Sequence, residues 1–182
     1  MRKSFYTLAP AALLMMAAMT PAQAAGKNAT LTVTANITAA TCDVVLGSPA
    51  LELGSFTSAE LATAMTPVNT QKVDVSLKNC STPTSKNVAN FIVTGATTAS
   101  NSAVFNSVST SDIGALVKDG PTIVKAGDKV LLKDFTSETD NPTKADLEAL
   151  NKSFDISLTS AINNPTTKGS ILAPITFQFD YN

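Results

Sequence analysis

Few side chains in this sequence could carry acid–base chemistry. Histidine is absent from all 182 residues, so a general acid or base would have to be a carboxylate or a lysine. Glu138 and Asp140 lie close together in sequence, as do Asp146 and Glu148. Each pair reads as a solvated loop or helix face rather than a catalytic dyad. No nucleophile motif and no phosphate-cradling glycine loop accompanies them. The remaining reactive groups are Cys42 and Cys80. Two thiols so far apart, with no histidine, fit neither a metal site nor a redox pair. In an exported chain an even count reads as one structural disulfide. Closing that loop would remove denatured-state entropy worth about 4 kcal/mol. No catalytic residue, metal site or cofactor is expected, and the chain does not read as an enzyme.

Export is indicated by the first residues. Arg2 and Lys3 precede an apolar run over residues 8–19, and Ala22-Gln23-Ala24 offers a small-x-small cleavage site. That order is a secretory signal peptide over residues 1–24. The run is about half the length that a spanning helix needs, and direct membrane insertion is not expected. Cleavage leaves 158 residues (182 less the 24 removed), enough for one domain with a sizeable core. It removes two basic and no acidic residues, so 11 basic groups face 14 acidic ones, a net charge of −3. A weakly acidic chain without a basic patch is a poor match for nucleic acid or an anionic membrane.

The elements that must position these groups are strands. Val73, Val75 and Leu77 alternate with Asp74, Ser76 and Lys78, and Phe154, Ile156 and Leu158 alternate again, the period of a half-buried strand. Short apolar runs at 42–46, 90–94 and 130–135, with weaker ones at 103–108 and 113–118, are separated by turn residues. Many short strands of this kind predict one β-sandwich domain. One short helix is expected over 144–152, capped by Thr143, and a single further helical turn could form over 59–65 before Pro67.

The two ends stand out. Leu31, Val33, Ala35 and Ile37 alternate with Thr32, Thr34, Asn36 and Thr38 ahead of the first cysteine. Ile175, Phe177, Phe179 and Tyr181 alternate with Thr176, Gln178 and Asp180 up to Asn182. A strand with four large apolar groups at a chain end must pack on something, because ends otherwise fray; on pattern alone both ends read as ordinary edge strands of one complete sandwich.

Several stretches, taken in order, resemble the type 1 fimbrial (chaperone–usher) pilin family. They are the signal peptide, the Thr/Val arm, Ala39-Ala40-Thr41-Cys42-Asp43-Val44 and Leu53-Gly54-Ser55-Phe56. Val73-Asp74-Val75-Ser76-Leu77-Lys78-Asn79-Cys80 and the final Ile175-Thr176-Phe177-Gln178-Phe179-Asp180-Tyr181-Asn182 complete the series. The resemblance implies an all-β fold, an incomplete immunoglobulin-like β-sandwich lacking its final strand. It would comprise an N-terminal donor-strand arm over 25–41, a pilin domain over 42–182, and one disulfide. The implied function is that of a structural subunit of a bacterial fimbria, polymerising by donor-strand exchange and so supporting cell adhesion. The implied partners are a periplasmic chaperone, an outer-membrane usher and neighbouring pilin subunits, and the destination is the cell surface. Leu31, Val33, Ala35 and Ile37 would be the inward residues of the arm. Ile175, Phe177, Phe179 and Tyr181 would form the strand beside the groove, with the Asn182 carboxylate in the chaperone's basic cleft. Family members usually carry glycine where Ala35 stands. A receptor-binding adhesin and a free-standing secreted β-sandwich binding module are the alternatives.

Overall fold

The computed structural model describes residues 40–182. These residues fall in one unit that spans Asn36–Asn182. The expected signal peptide and nearly all of the expected arm, with Leu31, Val33, Ala35 and Ile37, lie outside the described residues.

Alternating sequence becomes strand along most of the chain. The first strands are β1 (Asp43–Leu46), β2 (Val68–Lys78), β3 (Val88–Gly95), β4 (Thr97–Thr98) and β5 (Asn101–Phe105). They are followed by β6 (Ile113–Asp119), β7 (Thr122–Val124) and β8 (Lys129–Asp134). Helix α1 (Lys144–Glu148) then leads to β9 (Asn151–Ser160) and β10 (Ile175–Tyr181). A seven-stranded sheet runs in the order β1-β2-β9-β6-β5-β4, with β7 paired to β6, and a three-stranded sheet runs β10-β3-β8. Every ladder between these strands is antiparallel.

The inner faces of both sheets make the core. Val73, Val75 and Leu77 of β2, Phe91 and Val93 of β3, Val117 of β6 and Phe154 of β9 are buried together. On β2 they alternate with the less buried Asp74, Ser76 and Lys78, so burial there follows the two-residue period of a strand. Gly114 on β6 is required by packing, because a Cβ there would lie 2.3 Å from the Phe105 carbonyl oxygen. A disulfide joins Cys42 to Cys80 and ties the start of β1 to the end of β2. The tie is reinforced by the adjoining Thr41–Ser81 pair. Ser81 N–H donates to the Thr41 carbonyl at 2.8 Å, and Thr41 N–H donates to Ser81 Oγ at 2.9 Å.

The expected helices are shorter than their patterns. Thr143 caps α1 through a reciprocal bond with Asp146, but the helix ends at Glu148. Asn151 and Lys152 pair instead with Ser76 and Val75 of β2. Residues 58–61 form a turn and Ala64 makes an isolated bridge to Ser160, with Glu60 accepting from the Thr57 N–H at 2.7 Å. A ladder bond gained per residue outweighs one more turn of an isolated short helix.

Candidate functional site

The acidic pairs do not converge on a pocket. Asp146 is the capping partner of Thr143. Glu148 accepts from the Cys80 N–H at 3.0 Å, and Glu138 pairs with Lys133 at 2.8 Å. Among the described residues no cluster of three or more His, Cys, Asp or Glu side chains could hold a metal ion. What the domain does offer is an opening in its own core.

A groove of about 1250 Å³ runs between two strand edges. One wall is the end of β1 and the segment after it, with Leu46, Leu51, Leu53 and Phe56 turned inward. The other wall is the segment leading into β10, where Ile171, Ala173, Ile175 and Phe177 alternate inward in an unbroken two-residue period. Val73, Ile113, Ala115, Ile156 and Leu158 form the floor. Among the described residues β1 pairs only with β2, and β10 pairs only with β3, so within them each wall presents an unpaired edge to the groove. At one end Leu53, Phe56 and Ile171 all pack on the small cluster of Leu61, Ile113 and Leu158.

Local bonding holds each wall extended without pairing it across the gap. Asn69 donates its side-chain amide to the Leu53 carbonyl at 2.6 Å, and Gln71 donates to the Glu52 carbonyl at 2.9 Å. On the other wall Ser107 N–H donates to the Leu172 carbonyl at 2.8 Å. Gly95 lets that wall approach β3, since a Cβ there would meet the Pro174 carbonyl oxygen at 2.6 Å.

Burial grades along β10. Tyr181 is fully buried, while Phe179, Phe177 and Ile175 are only half-buried. Ile175 and Phe177 line the groove. Phe179 stacks on Tyr181 with ring centroids 6.2 Å apart, and Tyr181 packs edge-on to Phe135 at 6.2 Å. The Tyr181 hydroxyl donates to the Ser85 carbonyl at 2.8 Å and accepts from the Asn87 N–H at 3.3 Å. Burial pushes the Tyr181 phenol above its usual range. The Asn87 hydrogen bond opposes this, and the nearby Glu138 charge adds to it. Asn182 continues the ladder, exchanging backbone hydrogen bonds with Val88 at 2.9 and 3.2 Å. The strand is therefore anchored at its C-terminal end and unsealed at its start.

The sequence pattern pointed to β10 but not to the facing wall or the floor. Leu51 and Leu53 alternate over too few residues to give a period, and the floor residues look like any core.

Two packed antiparallel sheets, a disulfide at the first strand and an apolar seam between unpaired edges define the class: a disulfide-bonded, immunoglobulin-like all-β domain. A model of the fimbrial protein family matches residues 18–182, and the chain belongs to that family, as a structural subunit of a fimbria. Among solved structures it is similar to the P pilus rod subunit PapA. The TM-score is 0.55 at 14% identity, over 84% of this chain and 99% of that one. A chain from the structure of a chaperone–usher pilus aligns at a TM-score of 0.45 and 12% identity, over 86% of this chain and 97% of that one. The likeness to PapA speaks for the fold alone. A comparison with curated protein sequences returns no match.

Proposed function

We propose that the groove accepts an extended strand from another polypeptide, and that repeated acceptance builds the fimbria. The supporting observation is the apolar groove itself, flanked by the free edges of β1 and β10. A strand laid there gains main-chain hydrogen bonds from an edge, and its alternate side chains enter the core. This is β-augmentation, of which chaperone–pilin strand donation is a known instance.

Residues 25–41 of a neighbouring subunit are the donor in this proposal, with Leu31, Val33, Ala35 and Ile37 directed inward. Their reach suffices. At roughly 3.3 Å per residue, residues 25–39 extend to about 50 Å, whereas the wall over residues 171–181 extends to about 36 Å. Each large inward side chain fully buried contributes about 1.5–3 kcal/mol. Such head-to-tail contacts do not close on themselves and so give an open filament. Before assembly a periplasmic chaperone fills the groove, with Ile175, Phe177, Phe179 and Tyr181 as the adjoining strand and the Asn182 carboxylate as its second contact. Exchange for the arm of the next subunit takes place at the outer-membrane usher. Residues 1–24 direct export and are removed, and the fibre at the cell surface supports adhesion. Among the described residues no helix is long and apolar enough to cross a membrane.

The test removes residues 25–38 and follows thermal unfolding of the oxidised remainder with and without a synthetic peptide of that sequence. A large peptide-dependent rise in Tm is expected. Equal stability in both conditions would mean a self-sufficient sandwich and overturn the proposal.

A further inference from the structure

The sandwich has a second seam, between β7 and β8, on the side away from the groove. Among the described residues β8 pairs only with β3, and β7 pairs only with β6. Both present free edges here, much as β1 and β10 do at the groove. The hollow between them is only about 220 Å³.

The backbone of β8 is poised to bind a strand. Val93 N–H donates to the Asp128 carbonyl at 3.1 Å, and Gly127 N–H donates to the Val93 carbonyl at 2.7 Å. Phe91 faces Val130, and Asn90 faces Leu131. The alternation of an antiparallel ladder then turns the backbone groups of Lys129 and Leu131 away from β3. Leu131 is 52% exposed. An open edge bearing an apolar side chain invites pairing with another chain.

Lys152 stands across that edge. Its Nζ donates to the Leu131 carbonyl at 2.8 Å and lies 2.9 Å from Asp119 Oδ2. It is carried on β9 of the other sheet, so one side chain spans the seam. Lys129, Lys133 and Asp134 charge the same edge strand.

We infer that Lys152 closes the β8 edge, so that a subunit accepts a strand only at the groove and the fibre grows without lateral branching. The inference rests on the strand-acceptance reading above. The ammonium already occupies the outward carbonyl that an incoming N–H would need. An incoming strand would also have to break the Asp119 contact and leave the charge behind. Among the described residues the groove is lined mainly by apolar side chains, with Glu52 and Lys168 its charged ones.

The experiment compares the full mature chain with Lys152→Met, Lys152→Arg and Asp119→Asn. Particle mass is read by light scattering, as mass per length for fibres and as weight-average mass for unassembled chains. Edge-to-edge pairing in Lys152→Met should roughly double that mass, because an exposed edge takes one partner. Lys152→Arg keeps a donor over Leu131 and should match the wild type. Asp119→Asn loosens the hold on Lys152 and should raise the mass by less. It also covers the case in which Lys152→Met does not fold. Wild-type mass in both Lys152→Met and Asp119→Asn, each shown folded by its melt, overturns the inference. So does wild-type mass in Asp119→Asn alone, should Lys152→Met not fold. Failure of the strand-acceptance reading shows separately, as a wild-type chain that never assembles end to end.

Discussion

The Phe177 ring lies 4.8 Å, centroid to centroid, from the ring of Phe154. This contact joins the edge strand of the three-stranded sheet to the middle of the larger sheet. Phe177 also meets Phe91 edge-on at 6.4 Å. One half-buried side chain thus closes the core from within while lining the groove from without. Phe177→Ala should lower stability by about 2–3 kcal/mol, toward the low end for a phenylalanine because the site is not sealed. Gln178→Ala on the exposed face should stay within about 0.5 kcal/mol. Urea unfolding of both variants measures the difference, and equal midpoints would remove Phe177 from the core.

How much of this was legible in the sequence depended on strand length. Ile175 to Tyr181 carries four inward apolar residues, and its strand has those bounds in the structure. β4 and β7, at two and three residues, are too short for any period to show. Asn151 and Lys152 continued a helical pattern, yet pairing with β2 drew them into β9. A groove beside β10 was implied by the family resemblance, but the residue pattern did not locate its facing wall. That wall is held by Asn69 and Gln71 reaching to carbonyls, and bonds of that kind leave no trace in hydropathy.

The disulfide should matter to folding. Cys42–Cys80 closes a loop with a sequence separation of 38, and its loss from a small secreted domain costs about 2–5 kcal/mol. Cys42→Ser and the double serine variant should lose comparable stability, because either one opens the loop. Yield from the periplasm and a urea melt report it. Undiminished yield and midpoint would show that the Thr41–Ser81 bonds suffice alone.

Acid should loosen three local turns. Hydrogen bonds from Thr143 hold the Asp146 carboxyl below its ordinary range, and Thr136 and Thr57 do the same for Asp134 and Glu60. Depressed carboxylates stabilise above their unfolded values, here 3.8 for the aspartates and 4.5 for the glutamate. That stability is lost as pH falls through the lower folded values. Tm should therefore drop below about pH 4, and the drop should shrink in Asp146→Asn combined with Glu60→Gln. An unchanged acid limb in that variant would assign the drop to other groups.

Alkali should act through Tyr181. Its phenol is raised by burial, so the folded state favours the neutral form. The resulting stability is whole below the unfolded value of about 10 and is lost as pH rises through the higher folded value. Tyr181→Phe should abolish that alkaline limb. At neutral pH it should cost about 1–2 kcal/mol, because the Ser85 carbonyl and the Asn87 N–H lose their partner. Persistence of the limb in Tyr181→Phe would place the titration at another group.

The donor end can be tested on the whole chain. Ile37 lies outside the described residues, and the proposed role directs it into a neighbour's groove. That groove is walled by Leu46, Leu53, Ile171 and Phe177, and none of these can pair with a carboxylate. Burying an unpaired charge there costs several kcal/mol, more than one apolar side chain returns. Ile37→Asp should therefore stop polymerisation while leaving export, the disulfide and the melt of the isolated subunit unchanged. Electron microscopy of the cell surface and a periplasmic extract read the two halves separately. Normal fibres would overturn the arm assignment, because the inward face of these walls is apolar and, among the described residues, Lys168 is the one cation lining the groove. A subunit that accumulates folded in the periplasm is the outcome that the groove requires.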